Sequence, residues 1–356
     1  MIDFLVIGGG IGGISVASRL APLGKTVVVE AEEGLGYHAT GRSAAMFEES
    51  YGLPSTRALN RASRAFLEEA GVLAPRGFMI VGTEEDREAF DTDMASMGME
   101  PITVAEAREM VPILNPEVVT RAGWHAEAWD IDVDLLLQGY AREVRAHGGE
   151  IRLKSPVTAI ARARDGWRVT AGDEEIAARL LVNAAGAWAD RIAGLAGVRR
   201  IGLTPFRRSM ARLPAPGGQD VRRWPMLFGP GETWYAKPDA GKLLVSPADE
   251  DPVEPHDAWA DDMVLAEGLH RYERVVTEPV TRVETSWAGL RSFAPDRQLV
   301  IGFAPDAPGF FWHAALGGYG IQTSPAASRL AADLIAGRAP EIGRDLAAAL
   351  SPARLA

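Results

Sequence analysis

Six residues near the N-terminus, Gly8-Gly9-Gly10-Ile11-Gly12-Gly13, follow directly on the apolar run 3–7 (DFLVI). They precede a stretch, 14–21, that reads as a helix with small residues on one face and Pro22 at its end. A second β-branched strand, 26–29 (TVVV), ends at Glu30. Strand, glycine turn, helix, strand and acid within about thirty residues is the arrangement that binds a dinucleotide. Gly8 permits the tight turn, Gly10 lets a diphosphate approach the backbone, and Gly13 lets the helix pack close to the strand. Ile11 belongs to the same turn, where unpaired N–H groups and the helix dipole attract phosphate. At the strand end, a Glu30 carboxylate can accept from ribose hydroxyls. The motif by itself does not distinguish a flavin from a nicotinamide dinucleotide.

Two further segments carry polar and glycine-rich chemistry. Residues 36–45 read GYHATGRSAA. Thr40, Gly41, Arg42 and Ser43 offer a cation, two hydroxyls and an unhindered backbone to phosphate oxygens; a solvated surface loop has the same composition. Residues 317–325 read GGYGIQTSP. Ser324 suits an N-cap and Pro325 a first helical position, with the helix reaching about Ile335 and stopping at Gly337. Such a loop aims N–H groups and positive dipole at whatever lies in front of it.

Taken together, the glycine turn, Glu30, the GRSAA segment, 180–186 (LLVNAAG) and the C-terminal loop resemble the D-amino acid oxidase class of FAD flavoproteins. The resemblance runs along nearly the whole chain. It is closest to the D-arginine dehydrogenase-like D-amino acid dehydrogenases, through YHATGRSAA, LVNAAGAWAD, PFRRS, WPML, KPDAG, SPADEDPVE, WAGLRSF and GGYGIQTS. It implies an α/β fold: a Rossmann-type FAD-binding domain and a discontinuous substrate domain built on a mixed β-sheet. Segments 1–45, 140–200 and 288–356 form the first, and 46–139 and 201–287 the second. Besides the residues above, Ala44, Ala45, Val157, Ala185, Gly186, Trp188 (on a helix), Gly289, Gly317, Gly318, Tyr319, Gly320, Ile321, Gln322 and Thr323 are then expected at the FAD. Chain-wide absence of cysteine excludes a flavin tethered through sulfur, and a non-covalent FAD is expected.

The resemblance also assigns substrate residues. Arg208 and Arg291 would grip a carboxylate, which a guanidinium matches with two parallel hydrogen bonds. Tyr51 and Tyr235 would orient it, and Gln322 would reach both flavin and substrate. Hydride would then pass from Cα to flavin N5, giving an imino acid that hydrolyses to a keto acid and ammonia. No strong general base is required, though Glu48 could assist. Three positions depart from the D-arginine enzymes: Phe78 replaces a glutamate facing the guanidinium, Met46 a histidine and Glu48 a threonine. Losing the carboxylate at position 78 implies an uncharged D-amino acid, or a cyclic one such as D-proline, unless Glu48 restores cation binding from another wall. The alternatives are an N-methyl amino acid or 2-hydroxy acid substrate, or a flavin-binding subunit that needs a partner protein. A quinone or another carrier is the expected electron acceptor.

Elements beyond these motifs complete the expectation. A helix is read over 134–146, and strands over 151–154, 157–163 and 167–171 with a turn at Asp165-Gly166. In the second domain, strands fall at 79–81, 208–213, 233–237, 242–246 and 281–284. Helices at 56–70 and 104–110 would cover that sheet. The chain has 356 residues and a net charge of -11, which disfavours nucleic acid and anionic lipid as partners. Residues 4–18 are uncharged but broken by five glycines and lack a basic lead-in, so a cytoplasmic location and no membrane span are expected. Oligomeric state is left open, and a monomer is compatible with the sequence.

Overall fold

The structure is a computed structural model and describes residues 1–355. Its first sheet has eight strands. At its centre Ile2–Ile7 runs parallel to Thr26–Val29 on one side and Glu174–Asn183 on the other. Phe310–Ala314 extends the parallel set, and Val300–Phe303 pairs antiparallel with it. Both faces of the centre are covered, which is why its strands read as unbroken apolar runs. Val6, Val28 and Val182 pack with the helices Ile11–Leu20, Val133–Ala146 and Gly320–Ile335. Their neighbours Leu5, Ile7, Val27, Val29 and Leu181 point the other way, into a core with Trp167, Ile192 and Trp312.

The second sheet has nine strands. Its long antiparallel pair, Thr204–Leu213 with Thr285–Phe293, sets Arg208 opposite Gly289 and Phe206 opposite Arg291. A three-stranded sheet (Met46–Glu48, Ala128–Ile131, Leu73–Pro75) lies apart from both.

Three expectations are corrected. Residues 281–284 are not a strand; the strand begins at Thr285, and Glu284 N–H makes a single approach to the Arg212 carbonyl. Pro54–Glu69 does not cover the substrate sheet: its Leu59 and Leu67 pack with Ala326, Ala327 and Leu330 of the C-terminal helix, whose small side chains let it approach. That helix starts at Gly320, so Ser324 and Pro325 lie inside it rather than at its cap. The proline is tolerated because the Ser324 hydroxyl donates to the Ile321 carbonyl (2.9 Å), the acceptor that a proline four residues on leaves unpaired. No described helix is long and apolar enough to cross a membrane.

Candidate active site

Two helix N-termini, those of Ile11–Leu20 and Gly320–Ile335, open on one groove of about 910 Å³. Neither helix has an acidic residue in its first turn, so both dipoles remain available to a ligand. Gly10, Ile11, Thr40, Ser43, Ala44, Gly186, Gly289, Gly317, Gly318, Gly320 and Ile321 all line it. The close turn depends on Gly13, where an added Cβ would stand 1.9 Å from the Gly8 carbonyl oxygen. Thr40 Oγ1 accepts from Ile11 N–H (3.1 Å) and ties the 36–45 loop to the helix start.

Other expected cofactor residues lie outside the groove lining. Glu30 accepts from Gly9 N–H (2.5 Å) and Glu32 N–H (2.9 Å), bracing the glycine turn. Gly41 closes its loop on the Gly36 carbonyl (2.7 Å), and Ala185 N–H contacts Asn183 Oδ1 (3.4 Å). Trp188, in the short turn Gly186–Trp188 before the helix Ala189–Leu195, packs on His38 at 4.6 Å between ring centroids. Val157 pairs with Ala171 at the start of a hairpin strand, away from the groove lining. Thr323 donates to the Tyr319 carbonyl (2.8 Å), and the Tyr319 ring meets Tyr51 at 5.3 Å.

Arg42 lines the groove, and its side chain also has a task within the protein. Its guanidinium donates to the carbonyls of Ala258 (2.9 Å) and Ala288 (3.1 Å) and to the Asp257 carboxylate (2.5 Å). It stitches the loop to the rest of the fold, and its charge is already matched before any phosphate arrives.

A residue the sequence reading missed points into the same groove. His313, on the strand Phe310–Ala314, is 1% exposed and both ring nitrogens lack a partner among the described residues. Burial pushes its pKa down to about 4, so the ring is neutral. Groove size, glycine-lined walls, free helix termini and this unsatisfied imidazole fit a bound dinucleotide. The imidazole also sets a pH dependence. The unfolded chain takes up a proton near the ordinary 6.5 and the folded one only near 4, so stability is intact above that window and falls as pH drops through it. His313→Leu should flatten that decline; urea midpoints of the flavin-free proteins at the two ends of the window check it.

A second cavity, of about 810 Å³, adjoins the groove and shares Ser43, Ala44, Arg208, Tyr235, Arg291, Gly318 and Ile321 with it. All eight expected substrate residues line this cavity: Arg208, Arg291, Tyr51, Tyr235, Gln322, Met46, Glu48 and Phe78. Strand register explains the arginine pair. Arg208 faces Gly289 and Phe206 faces Arg291, so the two guanidiniums are diagonal neighbours on one sheet face, with no side chain at Gly289 between them.

The two arginines differ in their partners. Arg208 Nε donates to the Asp249 carbonyl (2.9 Å) and NH2 approaches Glu250 (3.3 Å). Arg291 has no carboxylate within ion-pair distance among the described residues. It lies against the flavin loop, its guanidinium carbon 3.0 Å from where a Cβ on Gly318 would be. Burial alone would lower the Arg291 pKa, but Tyr51, Tyr235 and Glu232 outweigh it and hold the group charged. Burial in turn raises the Tyr51 pKa, against the pull of Arg291 and Arg208. Gln322 Oε1 accepts from Glu48 N–H (3.1 Å), linking the C-terminal helix to the strand Met46–Glu48.

Opposite the arginines the wall is apolar. Phe78 stacks on Phe228 (4.4 Å between centroids), and Met46, Met97, Met226 and Trp234 complete it. Met97, Met226 and Trp234, together with Phe228 and Glu232, were not singled out in the sequence; a WPML motif marked Met226 without giving it a role.

Fold and site together define a flavin-dependent oxidoreductase. The chain belongs to the FAD dependent oxidoreductase (DAO) family, whose model matches residues 3–334, and its cofactor is FAD. It is 23% identical to bovine (Bos taurus) FAD-dependent oxidoreductase domain-containing protein 1, over 94% of this chain and 81% of that one. Glycine oxidase from Geobacillus kaustophilus has the same fold at a TM-score of 0.81, 22% identity and 95% coverage of both chains. L-alpha-glycerophosphate oxidase from Mycoplasma pneumoniae, solved with FAD bound, matches at a TM-score of 0.82, 19% identity and 94% coverage of both.

Proposed function

We propose that this flavoenzyme oxidises the Cα–H of a D-amino acid with an uncharged side chain and acts as a dehydrogenase. One observation carries the reading: a deep, charged Arg291 with no carboxylate partner faces the substrate cavity beside Arg208, Tyr51 and Tyr235. Tyr51, Tyr235 and Glu232 hold the guanidinium charged, yet no carboxylate within ion-pair distance takes up its paired N–H groups, which leaves them to a ligand anion. A substrate carboxylate is such an anion, and two guanidiniums plus two phenols fix its orientation. Bound FAD supplies the two-electron acceptor for the Cα hydride. The product imino acid hydrolyses in water to a keto acid and ammonia. The D configuration rests on the motif resemblance, and so does a quinone or other carrier as the final acceptor.

An anaerobic screen of D- and L-amino acids and 2-hydroxy acids tests this, read as bleaching of the flavin absorbance. Apolar D-amino acids should bleach it fastest. Bleaching by 2-hydroxy acids alone would replace the reading with alcohol oxidation. Peroxide release in air at the rate seen with a dye acceptor would make the enzyme an oxidase.

Side-chain choice follows from the Phe78 wall. Phe78→Glu restores a carboxylate facing the cavity, and should raise the D-arginine to D-leucine ratio of kcat/KM by about 10- to 100-fold. Steady-state kinetics with both substrates measures it.

A further inference from the structure

The apolar substrate cavity contains one feature that neither carboxylate binding nor flavin binding uses. Glu48 is 6% exposed, and its Oε2 lies 2.7 Å from His125 Nε2. The ring N–H does not point along that line, so the contact is a close carboxylate–imidazole approach and not a linear hydrogen bond. Strand alternation places Met46 and Glu48 on the same face, toward the cavity, while Phe47 turns into the core. His125 comes from a different strand, Arg121–His125, where it pairs with Phe78.

The carboxylate is held rather than mobile. Ser50 donates to Oε1 through both its N–H (2.9 Å) and its hydroxyl (2.5 Å). Gln322 and Asn60 fix the backbone at Glu48. Apolar side chains of similar size would fill this wall at no desolvation cost, so a buried acid and base here call for a ligand or a proton.

Resting on the proposed amino acid oxidation, we propose that Glu48 accepts the proton of the substrate ammonium, with His125 as the positioning residue behind it. One N–H bond breaks and one O–H bond forms on the Glu48 carboxylate. The freed nitrogen lone pair then forms the C=N bond as Cα–H departs with its electron pair to the flavin. His125 stabilises the acceptor and carries the proton outward. Its ring keeps 12% exposure, and Nδ1 has no partner among the described residues.

Other charges around the pair do not duplicate this role. Arg208 and Arg291 are cations in the same cavity, and Tyr51 and Tyr235 are phenols beside them. Glu232 is the other carboxylate lining it, with Arg291, Tyr51 and Tyr319 as its electrostatic neighbours. On the strand paired with Met46–Glu48, Asp130 is engaged by Arg76 and Lys237. Glu49 and Glu127 meet Arg64.

The test is the rate of anaerobic flavin reduction by a D-amino acid, followed from about pH 7 to about pH 10, in wild type, Glu48→Gln, His125→Gln and Glu232→Gln. In Glu48→Gln the rate should fall about 100-fold near neutrality and approach wild type in alkali, where the substrate arrives as free amine. His125→Gln should show the same shape with a smaller loss, and decides the matter if Glu48→Gln does not hold flavin. A loss of equal size at every pH, no loss near neutrality, or the alkaline rescue appearing in Glu232→Gln instead would overturn the assignment. A wild-type flavin that no amino acid bleaches at any pH overturns the reaction itself, and is seen without reference to the variants.

Discussion

Arg291→Met should lower kcat/KM for an amino acid by about 10³-fold while costing the substrate-free protein less stability than Arg208→Met does. In the absence of substrate, Arg291 has no carboxylate within ion-pair distance among the described residues, and Tyr51, Tyr235 and Glu232 favour its charge against burial. Methionine keeps most of the volume and breaks no ion pair. With substrate present the loss is larger. The ligand carboxylate loses its best partner in a desolvated site, a change that costs 2–5 kcal/mol or more in comparable charge pairs. Arg208→Met is a different experiment. Arg208 is held by the Asp249 carbonyl and approaches Glu250, so its loss leaves protein groups unmatched and should lower activity and stability together. Flavin-reduction kinetics and urea midpoints of the two variants separate the cases. An Arg291→Met protein destabilised as much as Arg208→Met would mean that the guanidinium is a structural group and is not waiting for an anion.

How much of this was legible in the sequence depended on the range of the interactions. Local chemistry decides the central strands: unbroken apolar runs at 3–7 and 26–29 read as strands covered on both faces, and they are. Arg208 and Arg291 were picked by motif resemblance alone, and the strand register then explains why they share a face. Arg42 shows the limit. Its motif context suggested a phosphate, and it does line the groove, but no local signal marked that Asp257 and two carbonyls far along the chain also hold it. Ser324-Pro325 failed for a related reason: a good cap sequence marks a helix start only if nothing upstream supplies helical bonds, and residues from Gly320 do. His125 and His313 gave no local signal, since an imidazole's burial and partners come from strands remote in sequence.

Gly13→Ala should yield a colourless protein, and the reason is geometric before it is chemical. The new methyl carbon would stand 1.9 Å from the Gly8 carbonyl oxygen, and the clashing atom is backbone, which cannot rotate away as a side-chain tip would. Either the helix Ile11–Leu20 retreats from the first strand or the turn between them opens. Either movement shifts Gly10 and Ile11, which line the cofactor groove, and withdraws the helix terminus from the diphosphate. Overpacking of this kind costs about 1–3 kcal/mol by itself. The loss of cofactor adds to it, because a ligand that binds only the folded state stabilises that state in proportion to its occupancy. Gly34→Ala is the matched control: nothing lies within 4 Å of a Cβ there, so the protein should stay yellow with an unchanged melting temperature. Visible absorbance of the purified proteins and thermal melts with and without added FAD decide between the two. Full flavin content in Gly13→Ala would show that the turn tolerates a methyl group, and that diphosphate binding does not depend on the close helix–strand approach.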